Sequence, residues 1–498
     1  MTDYKDTLNL PNTGFAMKAG LPAKEPKMIE FWEEMELTKE IAKARKGREK
    51  FILHDGPPYA NGEIHTGHAA QKVLKDIVIK SQTLDGKYAP FVPGWDCHGL
   101  PIELNVEKKV GKVGHKVDAS EFRDACRKYA NSQIELQKKD FKRLGVLGDW
   151  DNPYVTMDFS FEANIIRALG KIIEKGHLQR GDKPVHWCVD CGSSLAEAEV
   201  EYQDKISTSI DFIFPIEDES LLKIFEAESN NKNFVASWTT TPWTLPGNLA
   251  LTINDSFTYQ LIEVEFNNQN INIILAEDLV KATLERVGIS DYNILGSCSG
   301  SSLLGLKASH PYLDRDSLII AGDHVTTEAG TGVVHTAPGH GLEDYAVSKE
   351  NGLEVLSPVK GNGTFHEDVE HFAGQFVFKA NENIIQLLKE KKALLSESSF
   401  EHSYPHCWRH KTPVMFRATP QWFISMEQED LLKESLDSIE DVRWEPSWGK
   451  ARMESMLESR PDWCISRQRS WGVPIALLIH TETGELHPET PEVIEKVA

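Results

Sequence analysis

The chain has 498 residues and a formal net charge of −22, from 54 Lys plus Arg against 76 Asp plus Glu. That length exceeds what one hydrophobic core serves, so two or three domains are expected, and the acidic balance excludes gripping nucleic acid through overall charge while leaving room for a local basic surface. No apolar run approaches the roughly 20 residues of a membrane-spanning helix, the polar stretch Met1 to Gly20 lacks a signal-peptide core, and seven scattered cysteines read as reduced thiols. These features predict a cytoplasmic, multidomain protein with no membrane partner.

Along the chain, Met28, Phe31, Trp32 and Met35 have helical spacing. A basic run from Lys43 to Lys50 precedes a predicted strand, Phe51-Ile52-Leu53-His54, and a Gly/Pro-rich loop over residues 55–62. Val73, Leu74, Ile77 and Val78 predict a helix that Gly86 ends. A second strand is predicted over Tyr88–Val92, then a polar loop over Pro93–Pro101. Strand, helix, strand in that order is a βαβ unit with a parallel sheet, hence an α/β fold. From about Glu199 the texture changes to alternating Val- and Ile-rich strands at Ile210–Phe214, Phe234–Trp238, Ile271–Leu275 and Val333–His335. This β-rich stretch ends near Phe400, and mixed character returns from Tyr404. The middle therefore reads as an insertion, with its flanks belonging to one α/β domain.

The loop running Gly56, Pro57, Pro58, Tyr59, Ala60, Asn61, Gly62, Glu63, Ile64, His65, Thr66, Gly67 and His68 carries the strongest chemistry. It falls between the first strand and its helix, at the sheet edge where such folds bind ligands. His65 and His68 are three apart, so both side chains can point to one side. A helix start offers unpaired N–H groups and positive partial charge, which suits phosphate, and Gly67 would let a ligand approach the backbone. Two imidazoles there can stabilise charge on a pentavalent phosphorus. With Gly94-Trp95-Asp96-Cys97-His98-Gly99-Leu100-Pro101-Ile102-Glu103, the text resembles the class I aminoacyl-tRNA synthetases. Within them it resembles the isoleucine-specific branch, the leucine and valine enzymes being similar in architecture. Thr66 departs from the aliphatic residue usual in the family.

That resemblance implies a Rossmann-like nucleotide-binding domain interrupted by a β-rich editing domain. Residues 1–198 would be the first part of the catalytic domain with the insertion stem, 199–400 the editing domain, and 401–498 the return stem and start of the second catalytic half. His65 and His68 would contact the phosphates of ATP, supplied with Mg2+. Gly56, Pro57 and Asp96 would line the amino-acid pocket, with Asp96 pairing the substrate ammonium. The implied partners are isoleucine, ATP and tRNA(Ile), and the implied state is a monomer. Lys43 to Lys50 and Lys108 to Arg143 are the richest candidates for basic surface.

Two further segments look ordinary in isolation. Ser237 to Asn248 runs off a strand through three threonines to Pro242, and Gly330 to Tyr345 is Gly-rich. Together they resemble the editing domain of the same family, which implies that Thr239, Thr240, Thr241 and Asn248 meet the ester and terminal adenosine. His335 would reject isoleucine and Asp344 would hold the α-ammonium. Such a site is needed because one methylene in an apolar pocket is worth only about 1–3 kcal/mol, a magnitude for which this enzyme family is itself the standard example. No Ser or Cys with a positioned base occurs in these motifs, so a bound water is the expected nucleophile.

Cys188-Val189-Asp190-Cys191 and Cys407-Trp408-Arg409-His410 repeat one ligand spacing across the insertion. Cys188, Cys191, Cys407 and His410 could close a structural Zn2+ site, with His406 as an alternative fourth ligand. The same residues also read as two chain reversals with ordinary thiols. The family's Lys-Met-Ser-Lys-Ser loop does not occur before Ala498. The chain is therefore expected to be an N-terminal portion of a longer enzyme that activates isoleucine poorly alone. A free-standing deacylase or tRNA-binding module, and a non-catalytic zinc protein, are the other classes these features allow.

Overall fold

The computed structural model describes residues 7–9, 20–114, 116–458 and 462–498. Most of the polar stretch Met1 to Gly20 lies outside them. The chain forms two compact units. One comprises residues 1–168, 469–476 and 492–498, the other 169–468 and 477–491.

In the first unit, helices Leu21–Glu34, Leu37–Ala44, Thr66–Leu84, Leu100–Val110 and Ala119–Arg143 surround a small parallel arrangement. The helix Thr66–Leu84 covers the predicted residues, but Leu74, Ile77 and Val78 are exposed while Lys72, Asp76 and Ile79 are buried, so the apolar spacing does not mark its inward face; Gly86 follows with a φ of +100°, which glycine accepts most readily. The two predicted strands are corrected. Residues 51–54 and 88–92 form no ladder; Lys50 and Tyr88 make one parallel bridge, with Phe51 N donating to Tyr88 O at 2.9 Å. Pro90 and Pro93 have no N–H to give, which interrupts pairing along this stretch. A short strand lies instead inside the predicted loop, Gly94–Trp95, paired in parallel with Tyr154–Val155. The core beneath gathers Trp95, Ile102, Phe122, Phe141 and Trp150 with Trp471 from the later segment.

The second unit is β-rich. A six-stranded sheet runs in the order Tyr292–Ser299, Thr258–Phe266, Gln269–Ala276, Lys232–Thr239, Val200–Ile216 and Leu394–Cys407. Its last two strands form a long antiparallel ribbon, from Phe212 opposite Leu394 to Val200 opposite Cys407. The ribbon is buried from Ser209 to Phe214 and exposed over residues 201–204, so one end is core and the other is stem. A four-stranded sheet, Lys307–Ser309, Asp316–Ala321, Ala250–Ile253 and Val333–Thr336, carries His335. Phe212, Phe214, Val235, Leu251, Tyr259 and Ile273 belong to the core of this unit, all nearly inaccessible to solvent. Burial of that many large apolar side chains is the main force holding the sheets.

Candidate functional sites

In the first unit, the loop after Asp55 is joined to the segment bearing Asp96. Ala60 N donates to Asp96 O at 2.8 Å, and Asp96 N to Pro58 O at 2.9 Å. Gly56 faces open space, Pro57 is half-buried and Pro58 buried. The Asp96 carboxyl is partly buried, which raises its pKa, while His98 N lies 3.4 Å from its Oδ1. The helix Ala119–Arg143 holds the loop from beneath. Tyr129 OH donates to Asn61 Oδ1 at 2.8 Å, Gly62 N donates to Gln133 Oε1 at 2.9 Å, and Gln137 Nε2 donates to the Tyr59 and Gly62 carbonyls. These three residues are four apart, one helical face meeting one loop. Their spacing is visible in the sequence, but nothing local names the loop they meet.

His65 is the N-cap of Thr66–Leu84. Its Nδ1 accepts from Gly67 N at 3.1 Å and His68 N at 3.3 Å, and His65 N donates to His68 Nδ1 at 3.3 Å. The rings stack with centroids 3.8 Å apart. Because both Nδ1 atoms accept, both imidazoles are neutral with the proton on Nε2. Burial, the neighbouring His65 and then Lys72 all lower the His68 pKa. The expectation of unpaired helix-start N–H groups is corrected here, since His65 takes those of Gly67 and His68. The outward donors are the two Nε2–H groups. Gly67 also has a second reason to lack a side chain, because a Cβ would stand 2.9 Å from His65 Cε1.

In the second unit the threonine segment and His335 meet. Thr239 Oγ1 and Thr241 Oγ1 lie 3.2 Å apart, and Thr244 Oγ1 donates to Thr241 O at 2.8 Å. His335 Nε2 is 2.9 Å from Thr244 Oγ1, and His335 Nδ1 is 2.8 Å from Asn248 Nδ2, which also donates to Ala250 O. An amide donor at Nδ1 and a hydroxyl whose proton is already committed leave one assignment: His335 is neutral and donates from Nε2. Burial agrees, holding its pKa down at about 3. Asn248 is fully buried, and its Oδ1 accepts from Ser317 Oγ at 2.5 Å, so it braces His335 from behind. Asp344 sits in the first turn of the helix Leu342–Glu350, and its Oδ2 accepts from Ala337 N at 2.8 Å. Desolvation raises its pKa to about 6. Thr240 is half-buried beside this chain of bonds. Thr244 is the member that the sequence reading passed over.

At the stem end of the ribbon, Cys188, Cys191, Cys407 and His410 present ligand atoms all within 4.8 Å of one another. Cys191 Sγ and Cys407 Sγ are 3.7 Å apart, and His410 Nδ1 is 3.3, 3.8 and 3.9 Å from the sulfurs of Cys191, Cys407 and Cys188. A zinc tetrahedron with sulfur ligands has edges of about 3.8 Å, so the donor set fits. His406 is not part of this cluster; it lies on the strand, with its Nδ1 2.8 Å from Tyr404 O.

The sequence matches the family described as tRNA synthetases class I (I, L, M and V) over residues 27–498. The chain belongs to the class I tRNA synthetases. Among curated relatives of this synthetase, the isoleucine–tRNA ligase of Francisella philomiragia is 58% identical over 500 residues, covering 100% of this chain and 53% of that protein. The isoleucine–tRNA ligase of Vibrio parahaemolyticus is 59% identical over 503 residues with the same coverage. The synthetase chain thus spans about half the length of the curated relatives it matches. Solved structures similar to it include GlLeuRS-CP1 (TM-score 0.32, 15% identity, 38% of this chain and 98% of that one). Another is the ternary LeuRS–tRNA–LeuAMS complex of Agrobacterium radiobacter K84 (TM-score 0.38, 16% identity, 95% of this chain and 53% of that one).

Proposed function

We propose that the chain carries the nucleotide-binding and editing parts of an isoleucine–tRNA ligase, acting on isoleucine, ATP with Mg2+ and tRNA(Ile) as a cytoplasmic monomer. One observation carries the reading: a single chain holds two chemically different sites, an outward pair of neutral imidazoles at a helix start and a buried neutral imidazole backed by Asn248. In the first site, the isoleucine carboxylate attacks the α-phosphorus of ATP, forming the mixed acyl–phosphate anhydride of the adenylate while pyrophosphate departs with the electron pair of the broken α–β phosphoanhydride bond. The Nε2–H groups of His65 and His68 donate to phosphate oxygens as negative charge builds on them. Gly56 and Pro57 line the amino-acid pocket, and Asp96 pairs the ammonium. The terminal ribose hydroxyl of the tRNA then attacks the acyl carbon of the adenylate, forming the ester and releasing AMP.

In the second site, water attacks the ester of Val-tRNA(Ile), releasing valine and the free ribose hydroxyl. Thr239, Thr240 and Thr241 line the ester and adenosine end, Asp344 pairs the α-ammonium, and His335 walls off the larger side chain. Asn248 acts as a positioning residue, since it reaches only His335 and its neighbours. Residues 199–400 are assigned to this editing role, with residues 1–198 and 401–498 assigned to the catalytic domain and stem. Cys188, Cys191, Cys407 and His410 would hold a zinc ion, whose closed coordination would fasten the ribbon. Two assays on the purified chain test the reading: deacylation of Val-tRNA(Ile) and isoleucine-dependent ATP–pyrophosphate exchange. Deacylation is the activity expected of the editing residues, and exchange that of the nucleotide site. Absence of both from folded protein would remove the proposal.

A further inference from the structure

Residues 65, 68, 72, 75 and 79 fall at helical spacing along one face of Thr66–Leu84: two histidines, two lysines and an isoleucine. Lysine at two successive inward positions is unusual, and Lys72 is 2% exposed. Both lysines end on one acceptor. Lys72 Nζ pairs with Asp55 Oδ2, and Lys75 Nζ with Asp55 Oδ1. The Lys72 ammonium also lies 5.5 Å from the ring centres of Phe91 and Phe141, so its position is fixed on several sides. Asp55 immediately precedes Gly56 and Pro57. One carboxylate against two ammoniums leaves a surplus positive charge one helical turn below His68.

We propose that Asp55, Lys72 and Lys75 form a positioning unit for the nucleotide site, fixing the Gly56–Gly62 loop against the helix that bears His65 and His68. The triad also places a buried cation behind the imidazoles, which favours polyphosphate at that helix end. The assignment rests on the reading that His65 and His68 meet phosphate. None of the three residues touches the reacting atoms. A purely structural ion pair of this kind would stabilise the fold without setting the loop.

Lys75→Gln, Lys75→Arg and Lys72→Met variants of the full chain separate these roles, and Lys75 is exposed enough to be replaced without emptying the core. Hydrogen exchange of the amides at residues 59–62 is expected to quicken about tenfold in Lys75→Gln, while peptides of the β-rich unit are unchanged, because a partly buried charged bond is lost. Lys75→Arg should restore protection. In Lys72→Met the NMR titration of the His68 ring should move to higher pH. Wild-type protection of residues 59–62 in Lys75→Gln would overturn the proposal, whatever becomes of Lys72→Met. Mg·ATP binding is the separate arm: failure of the wild-type chain to bind it counts against the functional reading, while loop exchange still decides the triad.

Discussion

The proposed ammonium contact needs Asp344 as an anion, and burial works against that charge. Its pKa, raised to about 6 by burial, predicts that Val-tRNA(Ile) deacylation falls as pH drops from 7 to 5.5, as the carboxylate is protonated. Asp344→Asn should lower the rate at neutral pH and flatten that profile; an unchanged acid limb in the variant would assign the titration to another group. His335 works the other way. Its neutrality is fixed by Asn248 and Thr244, so Asn248→Ala should loosen the ring and let Ile-tRNA(Ile) be hydrolysed, as measured by deacylation of both esters. Gly67→Ala is predicted to cost about 1 kcal/mol, because the new methyl displaces the His65 cap. Denaturant unfolding of the variant measures that loss.

The long ribbon is where element-scale forces are clearest. Its stem half leaves Tyr202, Ile206 and Phe400 exposed, outside the apolar core, and the four ligands lie at its end. Metal analysis should give one zinc per chain, lost in Cys407→Ser and retained in His406→Gln, and chelation should lower the melting temperature. Retention of metal by Cys407→Ser would refute the ligand set. The spacing of Cys188, Cys191, Cys407 and His410 was legible in the sequence, because two local repeats suffice to suggest a site. Only the fold could choose His410 over His406, since that depends on which way a strand residue points. The helix Thr66–Leu84 was legible for similar local reasons. The strands at 51–54 and 88–92 were not, because pairing depends on distant partners and two prolines remove donors. Thr244 and His335 are 91 residues apart, and no local pattern announces their bond. The Tyr129, Gln133 and Gln137 ladder shows its period in the sequence but not its target.

At the scale of the molecule, net charge and pH stability have separate origins. The charge of −22 sits on a chain whose proposed partner is a polyanion, so binding must rely on local cations such as Lys43, Lys46, Arg48 and Lys50, which are exposed. One source of acid sensitivity lies inside the β-rich unit, where burial holds His310 and His335 at about 3 and His340 at about 4. Their folded pKa values lie below the unfolded value of about 6.5, so their contribution is complete above that pH. It is lost as pH falls from there through about 4 for His340 and about 3 for His310 and His335, at up to about 1.4 kcal/mol per pH unit for each histidine. Denaturant midpoints of this unit should therefore decline from pH 6.5 to 5, and a flat midpoint would refute buried neutral imidazoles. A chain that carries an isoleucine-type activation site together with a pocket that removes valine should discriminate between two esters, read as hydrolysis rates of Val-tRNA(Ile) and Ile-tRNA(Ile) with the purified chain. Rapid loss of the valyl ester with the isoleucyl ester spared is expected; equal rates, or no hydrolysis of either by folded protein, would rule out the proposed editing pocket.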